Sequence, residues 1–197
     1  MIFLVSHFLK RDFFLLSQNL KLWFLPVFTV GLFLFLISFL RESPFQGNEM
    51  LYCLLGLFLG ISLQENQFEN DERIGMQVYL RSLPNAKICY YVSRYIMNFL
   101  AWFGFAMILW VGFYSSLSAL DCLNLFLFCL GLCALHLAIQ KLLCAQKTIT
   151  GLGVVMTLPL CLPLFVLALS DSLNSLISLG LYALLLSTLF FLTALFE

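Results

Sequence analysis

The chain reads as an all-α polytopic membrane protein, six transmembrane helices behind an N-terminal interfacial helix, and three observations predict this. Of 197 residues, 62% are hydrophobic and only 10% charged, whereas a soluble domain has about 45–50% and about 25%. The ten Asp and Glu and ten Lys and Arg divide the chain into long uncharged runs. The basic residues also fall almost entirely on one side of the spans those runs define. The formal net charge of +0 leaves no electrostatic footprint for nucleic acid, and a mean hydropathy of +1.02 leaves too little polar surface for a water-soluble globule.

Six spans are predicted, at residues 22–40, 48–64, 95–115, 122–140, 148–169 and 175–196. At 1.5 Å per residue the shortest of the five long uncharged runs reaches about 28 Å, against a hydrocarbon thickness of roughly 30 Å. Leu22 to Leu40 holds six Leu, five Phe, two Val and one Ile, which favour insertion by roughly 4–8 kcal/mol. No small-x-small cleavage site follows it at Ser38-Phe39-Leu40-Arg41, so it reads as an uncleaved span rather than a signal peptide. The second span is the shortest apolar run, Met50 to Gln64, and needs local thinning or extension into its polar flanks. With the N-terminus inside, Lys10, Arg11, Lys21, Arg73, Arg81, Lys87, Arg94, Lys141 and Lys147 all face inward and only Arg41 faces outward. That bias places both termini inside, which is the cytoplasm for a bacterial inner membrane, the preferred reading, and the matrix for a mitochondrial inner membrane.

In residues 1–21, His7, Lys10, Arg11, Gln18 and Lys21 recur near helical spacing, with Phe3, Phe8, Phe13, Leu16 and Leu20 in other directions. This predicts an interfacial helix. The longest polar stretch is the inner segment 65–87. It begins with Glu65, Glu69, Asp71 and Glu72, then places Met76, Tyr79, Leu80 and Leu83 at i, i+3, i+4 and i+7, the pattern of a short amphipathic helix. Asn70 or Asp71 can cap its start, and Pro84 with Asn85 ends it. Its apolar stripe suits a membrane surface or a docking partner equally.

No phosphate-cradling Gly-x-x-x-x-Gly-Lys-Ser/Thr, no His-Glu-x-x-His and no Gly-x-Ser-x-Gly occurs, which argues against an enzyme and against an ATPase site on this chain. The uncharged runs within these spans, Met50 to Gln64 in the second, hold no Asp, Glu, Lys or Arg, which disfavours an ion-driven pump. Energy for any uphill transport would therefore enter from a cytoplasmic partner through segment 65–87. The seven cysteines include no Cys-x-x-Cys pair, and no disulfide is indicated. Cys129, Cys133 and His136 share a helix face and could ligate a metal, but buried apolar thiols and a hydrogen-bonded imidazole are the plainer reading, so no metal site is assigned. Gly56-x-x-x-Gly60 is a helix-packing candidate. Pro159 and Pro163 free two backbone carbonyls and mark a bend or break.

Two stretches carry a family resemblance. Phe68-Glu69-Asn70-Asp71-Glu72-Arg73-Ile74-Gly75 resembles the Phe-x-x-Asp-x-x-Asp-Gly signature of the haem exporter protein B (CcmB) family, with Ile74 where the second Asp is usual. The continuation Leu80-Arg81-Ser82-Leu83-Pro84 is similar, and Arg94 lies near the position of a family lysine. Leu158-Pro159-Leu160-Cys161-Leu162-Pro163-Leu164 resembles that family's Leu-Pro-Leu-x-x-Pro segment. Gln77-Val78 and Lys147-Thr148 depart from its pattern.

The resemblance implies a type-2 ABC permease-like bundle working in cytochrome c maturation, with two copies per complex. It implies a separate CcmA-like ATPase that carries ATP, a CcmC-like haem-handling membrane protein, and a CcmE-like haem chaperone reached through the complex. Haem would be cargo of the complex rather than a cofactor of this chain, and the Trp-Gly-x-x-Trp-x-Trp-Asp signature of haem-handling relatives is absent. Phe68, Asp71, Gly75, Met76, Tyr79, Leu80, Leu83 and Pro84 become the candidates for coupling to the ATPase. Two alternatives keep the membrane architecture: a permease for a lipid or drug cargo, and a passive membrane scaffold.

Overall fold

A computed structural model describes residues 2–18, 28, 31–32, 54–58, 68, 71, 75–82, 85–113, 118–146, 151–170 and 173–195. Every regular element among the described residues is helical: α1 (Ile2–Gln18), α2 (Met76–Ser82), α3 (Ala86–Phe113), α4 (Ala119–Gln146), α5 (Gly151–Leu169) and α6 (Leu173–Leu195). Most of the first and second spans, Gly60, the Tyr79 side chain, Leu83 and Pro84 lie outside the described residues.

Local chemistry sets the boundaries. At the start of α4, Ser118 and Asp121 form a reciprocal capping box. The Asp121 amide donates to Ser118 Oγ at 3.1 Å, while Asp121 Oδ2 accepts from the Ser118 hydroxyl at 2.6 Å and from its amide at 3.3 Å, so that donors at the helix start are satisfied. Ser118→Ala is expected to lower stability by about 1 kcal/mol, read from thermal unfolding in detergent. Ahead of α2, Gly75 has φ +80°, a left-handed conformation that costs a side-chain-bearing residue. The Val78 amide bonds back to the Gly75 carbonyl at 3.1 Å. Asp71 does not cap this helix as the sequence led us to expect: α2 begins five residues later, and the carboxylate is used elsewhere.

Residue pairings show how the last four helices run. Tyr91 and Tyr95 of α3 meet Phe190 of α6, and Phe99 and Phe103 of α3 meet Phe126 of α4. The Tyr95 hydroxyl donates to the Leu130 carbonyl at 3.1 Å. Phe128 of α4 meets Phe165 of α5, and the Tyr182 hydroxyl of α6 donates to the Leu160 carbonyl of α5 at 3.2 Å. Helices α3 to α6 therefore alternate in direction, with α4 and α6 parallel. The start of α3 and the ends of α4 and α6 share one end of the bundle.

Helix α4 occupies the centre. Every residue from 131 to 140 is buried, because α3, α5 and α6 all pack on it. Gly131 allows the closest approach. A Cβ added there would stand 2.8 Å from Leu164 Cδ2, 3.3 Å from Ala183 Cβ and 3.4 Å from Ala183 Cα. Leu164 can swing aside, but the α6 backbone cannot. Gly131→Ala is expected to cost about 1–3 kcal/mol, whereas Gly104→Ala, with nothing within 4 Å, leaves the unfolding midpoint unchanged or raised.

Among the described residues two helices, over Ala119–Cys144 and Leu173–Thr193, are long and apolar enough to cross a membrane. The second turns most of its surface outward: Leu173, Ile177, Leu181, Leu185, Leu189 and Leu192 form an exposed stripe along its length, a larger apolar face than soluble monomers leave in water. On α5, Pro159 and Pro163 are exposed beside Leu162 and Val166. No break occurs at these prolines, since α5 continues from 151 to 169. The ring fixes φ near the helical value, so the cost is two missing hydrogen bonds rather than a lost turn.

Candidate coupling site

The middle of α1 and the first turns of α3 enclose a buried charge network. On α1, Phe8, Arg11 and Asp12 lie at i, i+3 and i+4 and so share a face. On α3, Tyr90, Ser93 and Arg94 have the same spacing. Phe8 and Asp12 are buried against α3, while Phe3, Phe13 and Phe14 are exposed on the other side of α1. The rings of Phe8 and Tyr90 meet edge to face with centroids 5.9 Å apart.

Asp12 accepts from Arg11 Nη2 at 2.7 Å and Nε at 3.0 Å, and from the Ser93 hydroxyl at 3.0 Å. Arg94 Nη1 lies 3.7 Å from the same carboxylate. The other arm of the Arg94 guanidinium donates to Asp71 Oδ2, which also accepts from the Tyr90 hydroxyl. Arg11 Nη2 stands 3.5 Å from Asp71, and its Nη1 donates to the Met76 sulfur at 3.2 Å. The two guanidinium carbons sit 5.5 Å from the Tyr90 ring centroid. Two cations and two carboxylates thus neutralise one another around one phenol. Burial pushes that phenol well above its ordinary range, so Tyr90 stays protonated and serves as a donor.

Arg94 is the joint of this network. Its planar fork reaches both carboxylates, one from α1 and one from the inner segment, as a single ammonium could not. Below it, the Asn98 side-chain amide donates to the Arg94 carbonyl at 3.0 Å. Beside it, Phe68 is buried with its ring 6.2 Å from Tyr90 and 5.8 Å from Tyr91. The inner segment is therefore held to α3 twice, through the Asp71 charge and the Phe68 ring. Met76 and Leu80 also pack inward on the core, so these two members of the α2 stripe are not a free docking face. Val78 and Ser82 point outward instead.

Of the coupling candidates, the structure brings together Phe68, Asp71, Met76 and Leu80, and leaves Gly75 exposed at the α2 turn. Sequence reasoning missed Asp12, Tyr90 and Ser93. One signal was available for Asp12, the sole acidic residue before Glu42 and set in a basic helix. Elsewhere, Gly56 is buried in the helical stretch 54–58. Cys129, Cys133 and His136 are buried on α4, with the imidazole Nε2 2.7 Å from the Gln140 side-chain nitrogen. Among the described residues no group of three or more His, Cys, Asp or Glu is arranged to hold a metal ion.

Comparisons with protein-family models, with curated proteins and with solved structures find no match for this chain.

Proposed function

We propose that this chain is the membrane permease subunit of an ATP-driven complex in cytochrome c maturation, of the haem exporter protein B type, with ATP hydrolysed on a separate chain. The observation that carries the reading is the Arg94 joint. Within the resembling signature, Phe68 and Asp71 are both buried against the first turns of α3, and Asp71 shares Arg94 with Asp12 of the N-terminal helix. A cytoplasmic partner pressing on segment 65–87 would load a long apolar helix directly, which is what an energy-coupling element must do. The exposed leucine stripe of α6 supports placement in a bilayer, and the clustering of Arg11, Arg94 and Lys141 at one end of the bundle supports an inward orientation of that end.

On this reading the segment contacts the ATPase through the outward side of α2, around Val78 and Ser82, while the inward side transmits force. Co-expression with the candidate ATPase followed by detergent pull-down tests it. The wild-type chain is expected to retain the ATPase. Asp71→Arg and Leu83→Asp are expected to abolish covalent cytochrome c formation in cells. Failure to retain the ATPase, together with normal cytochrome c in both variants, refutes the proposal. Retention of the ATPase with normal cytochrome c in a deletion strain points to another cargo.

A further inference from the structure

We infer that Lys141 is a positioning residue that clamps the C-terminal end of α6 to the start of α3, and that Phe68, Tyr91 and Lys141 form one contact path from the inner segment to α4 and α6. The clamp stands on geometry alone, and only its use in coupling rests on the function proposed above.

The sequence assigns Lys141 nothing beyond its place among the inward charges. The structure buries it in the last turns of α4, where an ammonium is costly unless it is paired. Its Nζ donates to the Thr193 carbonyl at 2.9 Å, in the final turn of α6. There the helix has carbonyls without intrahelical partners and the negative end of its dipole. The same Nζ sits 4.1 Å from the centroid of the Tyr91 ring, close enough for a strong cation–π contact. Tyr91 in turn lies 6.0 Å from Phe190 of α6 and 5.8 Å from Phe68. One ammonium therefore joins three helices, and the ring it rests on also touches the inner segment. A Leu or Met would fill this space with less desolvation, whereas the charge fixes the relative positions of the helix ends.

Hydrogen–deuterium exchange on the full chain in lipid nanodiscs tests the inference without any partner. Lys141→Met is expected to speed exchange in the last turn of α6 by about tenfold, while Lys141→Arg keeps most of the protection. Phe68→Ala is expected to speed exchange at the same α6 end by about threefold, and to lose that effect in a Tyr91→Leu background. Unchanged α6 protection in Lys141→Met overturns the clamp. A Phe68→Ala effect that is absent, or that persists undiminished in Tyr91→Leu, overturns the path. Phe68→Leu carries the same comparison if Phe68→Ala fails to fold. Because no ATPase is present, these outcomes stay separate from the pull-down that tests the proposed function.

Discussion

Arg94→Leu is expected to destabilise the purified protein by about 3–5 kcal/mol, measured by chemical or thermal unfolding in detergent. The substitution leaves Asp12 and Asp71, both buried, without the guanidinium that separates and neutralises them. Asp12 keeps Arg11 and Ser93, so most of the penalty comes from the Asp71 carboxylate left facing a solvent-poor site rather than from the lost ion pairs themselves. Arg94→Lys is expected to fall between, since an ammonium reaches one carboxylate well and the other poorly. In the double variant Arg94→Leu with Asp71→Leu, the loss is expected to be smaller than the sum of the singles, because removing both partners removes the uncompensated charge. Strictly additive losses would show that Asp71 and Arg94 do not act as a pair.

Phe190→Ala is expected to have the next largest effect, about 3–5 kcal/mol. Its ring is fully buried on the inward side of α6 and meets Tyr91, Tyr95 and Phe191, with centroids 6.0, 5.9 and 5.2 Å away. Truncation opens a cavity where α6 crosses α3, and the surrounding rings are too rigid to collapse into it. Leu189→Ala, one residue earlier on the exposed side, should change stability by no more than about 0.5 kcal/mol. Comparable losses at the two positions would mean that the faces of α6 are assigned the wrong way round.

Among the described residues, helix existence was legible at the long apolar runs of α3 to α6, because intrahelical hydrogen bonding is what satisfies the backbone of such a run away from water. Their ends were less legible. Reading spans from uncharged residues places Arg94 and Lys141 just outside the bundle, whereas α3 begins at Ala86 and α4 continues to Gln146, so both charges lie within helices and point inward. A charge marks the end of a hydropathy run whether it faces water or a buried carboxylate. Only the fold separates the two cases, by bringing Asp12 within reach of Arg94 across more than eighty positions of sequence. Asp71 shows the same limit: an acidic residue ahead of an amphipathic stretch reads as a cap, and nothing local reveals that a tyrosine and an arginine on α3 claim it first. Met76 and Leu80 were legible as members of one stripe and do face the same way, but periodicity does not tell which body it faces.

The capping box at Ser118 and Asp121 bears on biogenesis. Asp121 stands at the end of the bundle opposite the Arg94 network, and its carboxylate is already occupied by the hydroxyl and amide of Ser118. On the inward orientation proposed for the Arg94 end, insertion of the α3–α4 hairpin would carry that acid to the far side of the lipid. A carboxylate wrapped in donors from its own helix start would shed less water on that path, and the proposed crossing of the two helices as a pair would be easier for it.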